Sequence, residues 1–268
     1  MSILVVGHYC HDTLIGNAST HRTLGGSAAY ASAILQALEE SHQVVAKVGA
    51  DFLYAGLVVC PPRIVPGSTT AFVVDYRGPE RRERVEAVAP AIEPEDLGGS
   101  FEVALACGVA GEVPPRTLRR LRAISRVVVA DAQSLLREIS PAGEVLLRTP
   151  PPDALELVDV LKASRAEAET LDLAVLRGRL TLVVTDGARG CSILRGTSEI
   201  HVDAFPAREV DPTGAGDCFA AGLAAGLSRG LSIEVAARLG AFCGARAVEH
   251  VGVPRLTPHE ARAFAPGR

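Results

Sequence analysis

Apolar residues come along this chain in short continuous runs, set between stretches where they recur every three or four positions. "ILVV" (3–6), β-branched and ending at Gly7, predicts a buried strand. "GGSAAYASAILQALEE" (25–40) opens on two glycines and predicts a helix with Leu35 and Leu38 on its apolar side. "VVAKVG" (44–49) predicts a second strand, and "TTAFVVDY" (69–76), "RGPE" (77–80) and "RRERVEAV" (81–88) read as a β-hairpin. Further on the texture alternates. Strands are expected at 102–108, 126–131, 155–163 and 180–187, with helices at 114–124 and 165–176 between them. The last third reads as helical, at 214–229, 231–248 and 257–264. Strands alternating with helices predict βαβ units, hence an α/β fold with a mainly parallel sheet and helices on both faces. The region 45–90 departs from that rhythm and is expected to form a small β lid. "TPPPD" (149–153) is a connector, and no internal repeat is visible, so 1–268 is expected to be one domain.

Composition narrows the partners. Hydrophobic residues make up 48% and charged residues 22%, a soluble globular balance. The net charge of −4 argues against nucleic acid or an anionic membrane as the main partner. No apolar stretch reaches the ~18 residues of a membrane span. "MSILVVGHYCHD" lacks the basic region and apolar length of a signal peptide, so a cytoplasmic protein is expected. The six cysteines form no C-x-x-C pair and mostly sit in apolar surroundings, which points to a reducing compartment without disulfides. Only two lysines occur, Lys47 and Lys162, and the sequence alone assigns them no function.

The chemistry concentrates in "VDPTGAGDCFAAG" (210–222). Asp211-Pro212 favours a turn. Gly214, Ala215 and Gly216 carry no bulky side chains, so the amides of a helix start can approach an anion such as phosphate. Asp217 falls in the first helical turn, placed to take a proton from an attacking hydroxyl. Standing alone, the stretch is read more readily as a capped, tightly packed helix start. Its context is a second Gly-rich start, "LGGSAAYAS" (24–32), and "GHYCHD" (7–12) at the carboxyl end of the first strand, where open α/β sheets bind ligands. There Asp12 could accept hydrogen bonds from a polyol, and Gly25 and Gly26 could bring backbone amides to a hydroxyl; a plain strand-to-helix turn is the alternative. G-x-x-x-x-G-K-[ST] is absent, and so is G-x-G-x-x-G after a strand. His8, Cys10, His11 and Asp12 would point in different directions from a strand, which disfavours a metal site. "RGPERRER" (77–84) reads as a solvated hairpin, and Gly222 with Gly226 as a close-packing pair.

Together these motifs resemble the PfkB/ribokinase family of carbohydrate kinases. "VDPTGAGDCFAAG" is similar to that family's C-terminal signature, "LGGSAAYAS" to its N-terminal Gly-Gly signature, and "VVTDGARG" (183–190) to its nucleotide-binding T-x-G-x-x-G stretch. The resemblance implies a ribokinase-like fold, a central mainly parallel sheet flanked by helices with a small β lid. It further implies ATP as donor, Mg²⁺, and a sugar or polyol acceptor. Asp217 is implied as the base, with Gly214, Ala215 and Gly216 as the anion hole. Thr185, Gly187, Gly190, Ser164 and Ala241 would lie at the nucleotide, and Asp12, Gly25, Gly26 and Tyr30 at the acceptor. Glu167 would act indirectly on Mg²⁺ and phosphate. Departures are Tyr30, Ser164 and Ala241, each standing where family members often carry Asn; Ser164-x-x-Glu167 is also a capping-box pattern. "VVGHYCHDTLI", "ACGVAGEV", "VVVADAQSLLR", "LKASRAEA" and "VEHVGVP" look most like the plant-type myo-inositol 3-kinases of that family. Another sugar or nucleoside kinase and a catalytically silent binding or scaffold protein stay open as alternatives, and so do a monomer and a homodimer.

Overall fold

The structure, a computed structural model, describes residues 2–17, 19–78, 82–261 and 264. An eight-stranded sheet runs through its middle. Reading across it, the strands are Ser198–Val202, Cys191–Arg195, Thr181–Thr185, Val160–Ser164, Ser125–Asp131, Phe101–Ala106, Ile3–Val6 and His42–Val45. All neighbours pair in parallel except the last hairpin, where Cys191–Arg195 is antiparallel to both Thr181–Thr185 and Ser198–Val202. The continuous apolar runs follow from burial on both faces. Ile3 and Val5 join Val103, Leu105 and Val129 in one core, under the helices Ser27–Ala37, Ala215–Ser228 and Ile233–Ala247. Leu4 and Val6 point the other way, into a second core with Ala104, Ala106, Val128, Leu118 and Leu121, covered by the helix Pro115–Ile124.

Strand order reverses at Ile3–Val6: the chain first adds His42–Val45 on one side, then builds outward on the other. A crevice outside the carboxyl ends of the strands is expected at such a point. Asp131, Ser164 and Thr185 are the last residues of three neighbouring strands, so they share this edge.

A separate four-stranded sheet covers it, in the order Thr20–Gly25, Cys10–Ile15, Thr70–Asp75, Arg82–Ala87. The expected 69–88 hairpin is present, and residues 79–81 at its turn lie outside the described residues. Two of the four strands lie outside 45–90, the span expected for the lid. Asp12 is therefore not at the exit of the first strand but in the lid sheet, paired with Thr23 and Phe72. Alternation along Cys10–Ile15 turns Cys10, Asp12 and Leu14 inward, while His11 stacks outside on Phe52. Cys10, Phe72 and Val85 seat the sheet on Val109 and Ala110.

Other expectations need correction. The run 155–163 is a helical turn, Pro152–Leu155, followed by a strand that starts only at Val160. Helix 165–176 divides into Arg165–Ala168 and Leu173–Leu176, because the Asp172 side chain caps the second turn by accepting from the Val175 amide. The hairpin 191–202 follows no pattern recognised in the sequence; Gly196, at φ +55°, makes its turn. The helix at 257–264 is described for Pro258–Ala261, and residues 262 and 263 lie outside the described residues. Gly222 and Gly226 do pack closely, against Gly240 and Ala236 of the neighbouring helix.

Candidate active site

The helix Ala215–Ser228 begins at the carboxyl edge of the sheet, directly after Gly214. Gly214 has φ +76°, and a Cβ there would run into the Tyr30 ring, so conformation and space both demand glycine. The first amides of a helix have no intrahelical acceptor. That of Ala215 reaches the Pro212 carbonyl at 3.3 Å, which leaves the Gly216 and Asp217 amides at the head of the helix dipole. Asp211 fixes the approach: its carboxylate accepts from the Thr213 amide at 2.9 Å and the Gly252 amide at 3.1 Å.

Two cavities meet at this turn. One, of about 260 Å³, is polar and holds Asp217; Gly26, Tyr30, Gln133, Arg137, Lys162, Ser164, Glu167 and Gly214 are among its walls. The other, of about 650 Å³, lies on the far side of the turn and includes Thr185, Gly187, Gly190, Phe205, Ala215, Phe219 and Ala241. Pro212 and Gly216 line both. The structure thus brings Thr185, Gly187, Gly190 and Ala241 together in the larger cavity and sets Ser164 and Glu167 in the smaller one. Asp12 and Gly25 line neither; the Asp12 carboxylate lies over Gly25, where a Cβ would run into it.

Asp217 is half-buried and accepts a hydrogen bond from Gln133 Nε2 at 2.8 Å. Removal from water and the nearby Asp131 raise its pKa to about 7, against the opposing pull of Lys162 and Arg137. A carboxylate tuned this way exchanges protons near neutral pH, as a general base must. Tyr30, on the cavity wall, is 2% exposed, and its hydroxyl is buried with no hydrogen-bond partner among the described residues. Ser164 and Glu167 form the capping box the sequence suggested: Ser164 Oγ accepts from the Glu167 amide, and Glu167 Oε2 accepts from the Ser164 amide at 2.7 Å. Polar contacts between the lid sheet region and this cleft include Tyr76 Oη with Thr213 Oγ1 at 2.8 Å and Arg137 with Glu83 at 3.5 Å.

Asp131, Gln133, Arg137 and Lys162 were not recognised as site residues from the sequence. A signal was available. Asp131 and Lys162 are charges at the ends of apolar strand runs, positions where burial requires a partner.

The fold agrees with the family comparison. The model of the pfkB family carbohydrate kinases matches residues 68–259, and the chain belongs to that family. It is therefore a phosphotransferase with an alcohol group as acceptor. Inositol 3-kinase of Zea mays is 42% identical over 280 residues, covering 95% of this chain and 74% of the relative. Inositol 3-kinase of Oryza sativa subsp. japonica is 43% identical over 279 residues, covering 95% and 70%. The fold is shared with a pyrophosphate-dependent kinase in the ribokinase family, complexed with a pyrophosphate analog and myo-inositol, at TM-score 0.82 and 20% identity over 98% of this chain and 100% of that one. Among the described residues no helix is long and apolar enough to cross a membrane.

Proposed function

We propose that the protein transfers the γ-phosphoryl group of ATP to a hydroxyl of myo-inositol, acting as an inositol 3-kinase. The observation that carries this reading is the pair of cavities sharing the Gly216 turn, with the carboxylate of Asp217 on the acceptor side. The larger cavity suits a nucleoside. Its walls are Ala, Gly, Pro, Phe and Val with Thr185 and a single charge, Glu209. Pyrophosphate would need cations there, and no Lys or Arg is among the lining residues. The smaller cavity suits a compact polyol: Gln133, Arg137, Glu83, Tyr30 and Asp217 offer hydroxyl-binding groups of both kinds. The names of the similar plant enzymes select inositol and its 3-position among such polyols.

Asp217 takes the acceptor hydroxyl's proton as that oxygen attacks the phosphoryl group in line. The Gly216 and Asp217 amides stabilise the charge on the transferring oxygens, and Gln133 keeps the carboxylate aimed. The lid sheet excludes water from the cleft. Magnesium is commonly held by one or two carboxylates together with phosphate oxygens and water. Glu167, half-buried on the cavity wall with Oε2 fixed by the Ser164 cap, fits that arrangement. When bound, the ion supplies charge neutralisation on the phosphates. The chain works as a single unit across 1–268 in the cytoplasm, a setting its six free thiols support.

A panel of polyols, sugars and nucleosides, each with Mg-ATP and with pyrophosphate, tests this reading. Turnover of myo-inositol with ATP is expected. Turnover confined to another acceptor, or to pyrophosphate, overturns the corresponding half.

A further inference from the structure

Lys162 and Asp131 occupy the floor of the acceptor cleft. They are register partners on adjacent parallel strands, so their side chains leave the same face of the sheet. The Lys162 ammonium donates to Asp131 Oδ2 at 2.9 Å, with the two side chains 6% and 1% exposed. A buried ion pair commonly costs more in desolvation than its attraction returns, so stability alone does not account for one at this place. The other lysine shows the contrast. Lys47 is likewise buried and paired, with Asp96, but it also donates to the Ala91 carbonyl at 2.8 Å and lines neither cavity. Lys162 has three N–H donors, and Asp131 is its one hydrogen-bond partner among the described residues. Its ammonium also lies against the phosphate turn: a Cβ added to Gly216 would stand 2.8 Å from Nζ.

We propose that Lys162, oriented by Asp131, is a positioning residue for the phosphoryl transfer, its ammonium supporting the Asp217 carboxylate and adding a fixed positive charge behind the Gly216 turn. The inference rests on Asp217 being the base. Asp131, Lys162 and Arg137 act directly on the charge of Asp217, Gln133 is bonded to it, and Glu83 and Glu167 share its cavity. Asp131 disfavours ionised Asp217, and Lys162 favours it. Burial works against the Lys162 charge, yet Asp131, Glu167 and Asp217 together hold its pKa above the usual lysine range. The cation therefore persists through the pH range in which Asp217 titrates. Asp131 plays two opposed parts: it anchors the cation and limits its effect on the base.

The two members of the pair should thus act in opposite directions on the acidic limb of the kcat–pH profile, measured with Mg-ATP and myo-inositol. Lys162→Gln is expected to move that limb to higher pH by about one unit and, with the fixed charge behind the turn gone, to lower the plateau kcat about tenfold as well. Asp131→Asn is expected to move it to lower pH by a similar amount. The double variant Asp131→Asn/Lys162→Met should fold, since it removes both buried charges at similar volume and Asn can still accept from the Gln133 amide. It should leave the limb near its original place while lowering kcat about tenfold at every pH, because the fixed charge behind the turn is gone. A merely structural pair would lower kcat or stability without moving the limb, and unmoved limbs or shifts of the same sign overturn the inference. If Lys162→Gln does not fold, Asp131→Asn and the double variant still decide. Asp217→Asn separates the two claims. Near-normal turnover in it removes the base itself, whereas its inactivity combined with unmoved limbs in the pair variants removes only the role given to Lys162.

Discussion

The molecule has two Gly-rich helix starts that look alike in sequence and differ in use. Both helices begin after a glycine with positive φ, Gly26 at +84° and Gly214 at +76°, and both continue through small residues. The first lends the acceptor cavity only wall, through Gly26 and Tyr30. Ser27, Ala28 and Ala29 are buried, Ser27 Oγ donates to the Cys107 carbonyl, and no acidic residue stands in the first turn. The second is open to cavities on both sides and carries Asp217 in its first turn. Polar amides and a dipole are common to every helix start. The difference teaches that a reactive site needs a carboxylate set beside those amides and open space in front of them.

The largest effect should come from the open start. Asp217→Asn is expected to lower kcat by roughly 10²–10⁴ with little change in nucleotide affinity; turnover near normal would make the two helix starts equivalent. Alanine at the two capping glycines should then separate them. In Gly26→Ala the new Cβ meets the His8 carbonyl, a backbone atom with little room to move, so a stability loss of about 2–4 kcal/mol is expected in denaturant melts. In Gly214→Ala the Cβ meets the ring of the buried Tyr30 at a residue with φ +76°, so a comparable stability loss is expected, accompanied by a fall in kcat of about tenfold or more that Gly26→Ala lacks. Equal stability losses with equal turnover would erase the contrast.

The titration of Asp217 provides a third test. With its pKa raised to about 7, kcat should climb as pH rises through that value, because the carboxylate is the active form. Stability should run the other way. Between the ordinary aspartate range near pH 4 and about 7, the folded state binds more protons than the unfolded one, so stability falls with rising pH. Asp217→Asn should therefore melt higher than the parent protein, by a margin that grows across that window and is constant above it. A margin independent of pH would deny the shift. The smallest effect is expected from Tyr30→Phe. Removing a buried hydroxyl with no partner among the described residues should leave the melting temperature level or slightly raised, while KM for the acceptor rises about tenfold if that hydroxyl meets the substrate. An unchanged KM would confine Tyr30 to packing against Gly214.

Much of this was legible along the chain because it is local. Most parallel strands of the central sheet announced themselves as apolar runs, whereas the hairpin 191–202 did not, and Gly214 to Asp217 were recognisable from adjacent residues. Asp12 was misplaced because strand 10–15 follows the first strand within a few residues, and only pairing with Phe72 and Thr23 reveals that it belongs to another sheet. Gln133 was missed because its partner lies 84 positions away. Ser164 and Glu167 show the mixed case: their cap is local and was foreseen, while their place on the acceptor side depends on where a strand ends.

By itself the sequence determined the α/β class, the two Gly-rich helix starts and the residue types available for phosphoryl transfer, since periodicity, capping and turn chemistry act over a few neighbouring positions. Only the tertiary structure decided that one start buries its first residues and carries no carboxylate while the other brings Asp217 to two cavities, and that Asp131 and Lys162 converge on Asp217. Burial and electrostatics depend on distance in space, and the sheet brings to one edge residues that the chain keeps far apart.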